Sequence, residues 1–291
     1  MPAPPVEFSV VMPVYAGAEP SHFRRALESL EDQTCPAAEV IVVEDGPLLP
    51  GHRTVLDDAA ARMPTLRRIA LPENRGAAAG NQAGLEAARN PWIAKADADD
   101  VNLPARLAVQ AEALRQADAE GAPIDCLGAA MFEFDGGRPG QEAEHVVGMR
   151  SLPGSPAAIG RYVRRNSPIN HPTAVYRREL ALAVGGYRHQ PYMEDYDLFA
   201  RMLAAGARMR NLHEPLVLFR AGDEMLGRRR ARGILSSERA MQKNLRDYGL
   251  VGPVESRINL TARTAFRMLP APLLRRAYRE LFHRKPGAAP A

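Results

Sequence analysis

An α/β fold on a mostly parallel sheet, with helices on both faces and a basic helical extension at the C-terminus, is what this 291-residue sequence predicts. Two observations point to the sheet: short β-branched runs alternate with helical patterns up to residue 104, and the runs close in proline, glycine or acid. A third points to the extension. Residues 257–285 carry many arginines and almost no acid, in a chain whose formal net charge is only +4.

The elements follow in order. FSVVMPVY (8–15) and EVIVVEDG (39–46) read as buried parallel strands. Between them HFRRALESLEDQT (22–34) sets Phe23, Ala26, Leu27 and Leu30 at helical spacing, so the first unit is βαβ. A second helix is expected at 54–62, a third strand at LRRIALP (66–72), a helix at GAAAGNQAGLEAAR (76–89) and a fourth strand at WIAKAD (92–97). ARLAVQAEALRQADAEG (105–121) is a clear helix, followed by the apolar run IDCLGAAMFEF (124–134). Gly and Pro cluster over 136–156, which reads as an irregular loop or a hairpin.

NSPINHPTAVYRREL (166–180) runs into a helix, and EDYDLFARMLAAG (194–206) is a helix opening on two acids. ARMRNLHEPLVLFR (207–220) reads as a returning strand with a turn at Glu214 and Pro215, and GILSSERAMQKNLRDYGL (233–250) as a helix. In 257–285 Leu, Phe and Tyr alternate with Arg, as suits an interfacial helix broken near Pro270 and Pro272, or one packed on the domain or on a second subunit. The expected organisation is a domain of residues 1–225, in halves of about 1–104 and 105–225, and an extension of 226–291.

Composition narrows the function classes. Hydrophobic content of 46% is that of a globular protein with a sizeable core. Cys35 and Cys126 are the only cysteines, which suggests neither a disulfide framework nor a cysteine-ligated zinc, and fits a reducing cytoplasm. MPAPPVEF lacks the basic start and apolar run of a secretory signal, and no stretch reaches the roughly 18 apolar residues of a spanning helix. A soluble or peripheral protein is expected. The C-terminal charge points to an anionic surface, membrane or nucleic acid, but the α/β region shows no nucleic-acid motif.

Ligands of such sheets sit at the carboxyl ends of the strands. Tyr15 follows the first strand, Glu44 and Asp45 end the second, and Asp97, Asp99 and Asp100 follow the fourth, so these residues are expected on one edge. At a strand-to-turn transition two carboxylates in Asp-x-Asp can both approach a hard cation, Mg²⁺ or Mn²⁺, bridging to a diphosphate. Taken alone the triplet also suits helix capping, for which Asp100 before VNLPARL is placed.

VVMPVYAG, VIVVEDGP, PENRGAAAGNQAGLEAARNPWIAKADADD and GGYR…EDYDLFARML resemble the successive motifs of inverting family 2 glycosyltransferases of the GT-A fold, over roughly residues 8 to 220. DADD, NHPTAVYRR and EDYDLF are similar to bacterial enzymes that add the second sugar to a lipid-diphosphate-linked primer in O-antigen or exopolysaccharide assembly, β1,3-galactosyl- and glucosyltransferases among them.

The resemblance implies a nucleotide-sugar site of Pro13, Tyr15, Glu44, Asp45, Asn74, Arg75, Gly76, Lys95, Asp97 and Asp100. In it Tyr15 packs on the base, Asp45 accepts a hydrogen bond from uracil N3, and the helix after Asn74, Arg75 and Gly76 turns its N-terminus to the diphosphate. Asp99 and Asp97 are the implied metal ligands. Arg75 and Lys95 either face the phosphates or balance the nearby acids. The family often shows an arginine before the asparagine where this chain has Gly80 and Asn81, a departure that removes a phosphate contact.

Asp195 matches the catalytic base, with Glu194 beside it binding a donor or acceptor hydroxyl. His171 and Arg220 are placed toward the acceptor or the diphosphate, with Arg228 to Arg230 as further candidates to close over it. The implied partners are a UDP-sugar donor, a lipid-diphosphate-linked saccharide acceptor and the cytoplasmic face of the inner membrane, reached through the basic C-terminal helix. Two rivals stay open on sequence alone: a nucleotidyltransferase acting on a sugar phosphate, and a basic membrane or nucleic-acid binding protein.

Overall fold

The computed structural model describes residues 6–221 and 233–267 and the backbone of a short strand at 283–284. In chain order the first half runs β1 (Phe8–Val14), α1 (Pro20–Glu31), β2 (Glu39–Glu44), α2 (Pro50–Arg62), β3 (Leu66–Ala70), α3 (Ala77–Ala87), β4 (Trp92–Lys95), β5 (Val101–Asn102) and α4 (Arg106–Ala119). The second half runs β6 (Cys126–Phe134), β7 (Val146–Arg150), α5 (Pro156–Tyr162), β8 (Val175–Arg177), α6 (Arg178–Ala183), α7 (Glu194–Ala204), β9 (Met209–Arg220), α8 (Ile234–Asp247), α9 (Pro253–Arg267) and β10 (His283–Arg284).

Strand alternation divides the interior into two layers, as the sequence predicts. Val10, Met12, Val14, Val40 and Val42 face one side, where Phe23 and Leu27 of α1, Leu56 of α2 and Leu107 of α4 cover them. Val11, Ile41, Val43 and Ile93 face the other, under Leu85 of α3 and Leu198 and Phe199 of α7. The strand order is β10-β7-β6-β8-β4-β1-β2-β3, and β4, β1, β2 and β3 are mutually parallel. Helix α3 comes close to β1 through Gly80 and Gly84: a Cβ on Gly84 would stand 2.3 Å from Val11 Cγ1, and one on Gly80 2.9 Å from Pro13 Cβ. Gly80, where the resemblance expects arginine, thus lies at a packed contact with no room for a side chain.

The structure departs from the sequence reading in the second half. Val175–Arg177, expected to lead straight into a helix, is an antiparallel strand that joins β4 to β6. Three residues are too few to show a period. Of the two alternatives for the Gly- and Pro-rich 136–156, the hairpin is the one found, with β7 returning antiparallel to β6. No turn breaks β9 at Glu214 and Pro215; its parallel ladder with β6 shifts register between Leu212 opposite Ala129 and Pro215 opposite Ala130. That irregularity is where a strand tolerates a proline. Asp100 caps no helix, because β5 follows it and α4 begins at Arg106 without a side-chain cap.

At the C-terminal end α8 docks on α7. Met193 and Tyr196 pack with Ile234, Met241 and Leu245, and the buried Asp197 of α7 accepts from Arg201 Nε (2.8 Å), Asn244 Nδ2 (3.1 Å) and Tyr248 OH (2.7 Å). The basic helix expected from 257 begins four residues earlier, at Pro253, and packs on α8. Pro270, Pro272 and Arg228 to Arg230 lie outside the described residues.

Candidate active site

The carboxyl edge of the parallel strands carries the first wall. Tyr15, one residue beyond β1, is 48% exposed, an open aromatic face rather than a core side chain. Asp45, just past β2, is buried and accepts from the backbone N–H groups of Arg75 (2.7 Å) and Gly76 (2.9 Å). It therefore shapes the Asn74–Arg75–Gly76 loop at the start of α3, where Asn74 and Arg75 are exposed. Pro13 lies under Gly80 beside Asp45. Glu44 turns elsewhere: its carboxylate pairs with Arg68 (2.9 Å), which also holds Asp57 of α2. The structure does not bring Glu44 into the cluster described next.

The acidic turn after β4 is met by basic side chains from β4, α4 and β9. Lys95 is 1% exposed and its Nζ pairs with Asp97 Oδ1 at 2.5 Å, the acid-balancing arrangement of the two named for it. Beneath it lies Arg106, fully buried, donating to Lys95 O (2.8 Å), Gln110 Oε1 (3.2 Å) and Asn102 Oδ1. Its pKa is pushed down to about 10 by burial, against the charges of Asp97 and Asp100. Arg220, at the end of β9, donates its backbone N–H to Asp100 Oδ1 (2.9 Å) and its Nε to Asp99 O (3.2 Å), with its guanidinium over the Phe134 ring at 4.6 Å. It is thus tied to the acidic turn, where the sequence places it toward the acceptor or the diphosphate.

Helix α7 supplies the opposing wall. Glu194 and Asp195 open its first turn, and Ser167 Oγ donates to Asp195 Oδ2 at 3.3 Å. Burial, then the charge of Asp195, pushes the Glu194 pKa up to about 7; Asp97 adds to the rise and Lys95 opposes it. His171 joins the two walls: its turn packs on β4, its ring stands 6.1 Å from that of Phe199 in α7, and it feels the charges of Lys95, Asp195 and Asp97. Burial, then Lys95, lowers its pKa, and its Nε2 hydrogen-bonds Tyr187 OH at 2.8 Å.

Ser167, Tyr187 and Arg106 were not singled out as site residues by the sequence reading. Ser167 and His171 share the NSPINHPT motif, and position relative to it is the only local signal for Ser167. Tyr192 carries a local signal of another kind, since proline precedes it. The turn closed by Met193 N–H to Gln190 O (3.0 Å) holds it at φ +65°, 45% exposed, three residues before Asp195.

A divalent cation on a diphosphate needs hard oxygen donors. Asp97 and Asp99 are both partly exposed, and the buried Asp100 keeps an Oδ2 without a hydrogen-bond partner. Burial, then the charges of Asp99 and Asp97, raises the Asp100 pKa well above the carboxylate range. This crowding of carboxylates fits Mg²⁺ or Mn²⁺ held by one or two side chains and completed by phosphate and water. Among the described residues no group of three or more His, Cys, Asp and Glu is arranged to hold a metal by itself.

Comparison with known proteins gives a consistent set of likenesses. The family described as Glycosyl transferase family 2 matches residues 9–183. The amylovoran biosynthesis glycosyltransferase AmsE of Erwinia amylovora is 31% identical over 93% of this chain and 97% of its own length. The UDP-Gal:α-D-GlcNAc-diphosphoundecaprenol β-1,3-galactosyltransferase of Escherichia coli is 27% identical over 96% of this chain and 97% of its own length. Among solved structures, S. aureus TarS 1–349 in complex with UDP-GlcNAc superposes with a TM-score of 0.62 at 19% identity, covering 90% of this chain and 72% of that one. A mannosyltransferase from Pyrobaculum calidifontis, in complex with GDP-Man and Mn²⁺, gives 0.55 at 19% identity, over 97% and 77%.

Proposed function

This chain belongs to glycosyl transferase family 2 and is a glycosyltransferase; from that premise we propose that it moves a hexose, galactose or glucose, from a UDP-sugar to a hydroxyl of a lipid-diphosphate-linked saccharide. Transfer inverts the anomeric carbon and contributes to a surface polysaccharide. The observation that carries this reading is the meeting of two carboxylate groups in one site: Asp97 of the acidic turn and the Glu194–Asp195 pair of α7, with His171 in reach of both.

Their tasks follow from their surroundings. Asp195, at the positive end of a helix and oriented by Ser167, suits removal of the acceptor hydroxyl proton as that oxygen attacks from the face opposite the leaving diphosphate. Glu194, with a pKa near 7, holds a proton through mildly acidic conditions and can bind a sugar hydroxyl as donor or acceptor. Tyr15 offers its face to the base, and the 74–76 loop, fixed by Asp45, offers exposed Arg75 and backbone N–H groups to the phosphates. Asp45 reads uracil N3 only by sharing an oxygen with that loop. Asp97 and Asp99 are the residues to hold Mg²⁺ or Mn²⁺, whose chemistry there is to neutralise charge on the leaving diphosphate.

The likeness to the E. coli galactosyltransferase, over nearly the whole of both chains, supports the acceptor class, and a lipid-linked acceptor is the reason to propose work at the cytoplasmic face of the inner membrane. The family match turns both rivals aside: a nucleotidyltransferase leaves Glu194–Asp195 without a task, and a binding protein leaves the whole site without one. The test is incubation of the purified protein with Mn²⁺, a panel of nucleotide-sugars and a synthetic GlcNAc-diphosphate-lipid. UDP-galactose or UDP-glucose is expected to give a disaccharide-diphosphate-lipid. Turnover confined to GDP- or dTDP-sugars would overturn the uridine assignment, and pyrophosphate release from a nucleoside triphosphate would overturn the reaction class.

A further inference from the structure

Helix α9 is built inside out. Its protein-facing positions are polar: Ser256 is 5% and Asn259 7% exposed, Ser256 Oγ donates to Gln242 O (3.3 Å), Asn259 Nδ2 to Arg164 O (2.9 Å), and Arg263 Nε pairs with the buried Glu238 (2.5 Å). Among its exposed positions, which also hold Arg257 and Thr261, an apolar stripe runs at helical spacing. Val254 is 70% and Ile258 62% exposed, and Ala262 and Ala265 continue the stripe. An ordinary surface helix turns these faces the other way. Water gains nothing from this arrangement, so the outer face is shaped for an apolar neighbour.

Charge selects among possible neighbours. Arg257 is exposed on the same helix, exposed Arg165 lines a groove with Val254 and Ile258, and among the described residues neither arginine pairs with a carboxylate. An open groove of about 590 Å³ is lined by Arg164, Arg165, Val254, Glu255, Ile258 and Asn259, and in it Glu255 pairs with Arg164, which leaves Arg165 as the groove's unpaired cation among the described residues. Apolar side chains bordered by the guanidinium groups of Arg165 and Arg257 complement the boundary between headgroups and acyl chains of an anionic bilayer.

We propose that the outer face of α9, centred on Val254 and Ile258 with Arg257 and Arg165 at its border, seats the protein on an anionic lipid surface. Continuity with the candidate active site gives the seat a direction. Arg263 Nη1 donates to Arg165 O (2.6 Å), and two residues on Ser167 holds Asp195. The seat therefore flanks the wall that carries the proposed base, on the side from which a lipid-anchored acceptor arrives. This rests on the proposed acceptor class only for its purpose, because lipid binding is measured independently of transfer.

Full-length protein is floated with vesicles of phosphatidylcholine alone and with added phosphatidylglycerol, beside Val254→Asp/Ile258→Asp and Ile258→Trp. The aspartate variant is expected to lose binding to anionic vesicles about tenfold or more, with unchanged far-UV dichroism and unchanged transfer to a short-chain, water-soluble acceptor. Since Trp92 is buried and is the chain's single tryptophan, the Ile258→Trp emission should shift blue on anionic vesicles. Equal flotation of the aspartate variant, or no emission shift, would overturn the proposal. So would loss of a dimer in light scattering with flotation intact, which would assign the face to a second copy. If the wild type floats but transfers no sugar, the seat stands and the proposed reaction falls.

Discussion

Asp195 shares the first turn of α7 with Glu194, and the two face different environments. Asp195→Asn keeps the Ser167 hydrogen-bond distance within reach but cannot take a proton, so kcat should fall by about 10²–10⁴ with donor Kd nearly unchanged; substantial residual turnover in the purified variant contradicts its role as base. Glu194 titrates near 7 in the fold against 4.5 for the free side chain. Because its folded pKa is raised, it contributes stability below about pH 4.5 that is lost as pH rises through 7. Glu194→Gln, neutral throughout, should therefore gain Tm relative to wild type between pH 5 and 8 in the absence of ligand; a pH-independent difference contradicts the assignment. The carboxylates were legible because their types and order carry the chemistry. Ser167 and Tyr187 were not, since their contacts to Asp195 and His171 span 28 and 16 residues, and no local pattern announces such a bond.

Among the elements, α7 and its docking on α8 decide whether the base is held. Asp197 is 1% exposed and gathers Arg201, Asn244 and Tyr248. Asp197→Ala leaves the buried Arg201 with only the carbonyls of Val184 and Gly186, and should cost about 3 kcal/mol in urea unfolding; a loss under 1 kcal/mol contradicts this view of the junction. On the other face, Gly84→Val forces a Cβ against Val11 and should cost at least about 1–3 kcal/mol by overpacking. The β/α alternation up to residue 104 was readable because each helix carries its own apolar spacing and each strand its β-branched run. β8 escaped because it is three residues long, and the β9 irregularity because a proline in a strand and a proline in a turn look alike without the partner ladder.

Across the whole molecule, one half of the sheet offers the acidic turn and the other half offers α7, and the fold brings them to a common site. The acidic turn sets three carboxylates within four residues, and Lys95, Arg106 and Arg220 gather around it. Arg106 and Arg220 lie outside the turn, so only the fold reveals the balance. Chelation with EDTA should stop transfer and Mn²⁺ or Mg²⁺ should restore it, while a rate indifferent to chelator removes Asp97 and Asp99 from that role. The central claim is single displacement at a site formed by Asp97 and Asp195. It is tested most directly by NMR of the linkage formed from an α-linked UDP-hexose on a GlcNAc-diphosphate-lipid: the account predicts a β-linked product, and an α-linked product would contradict it.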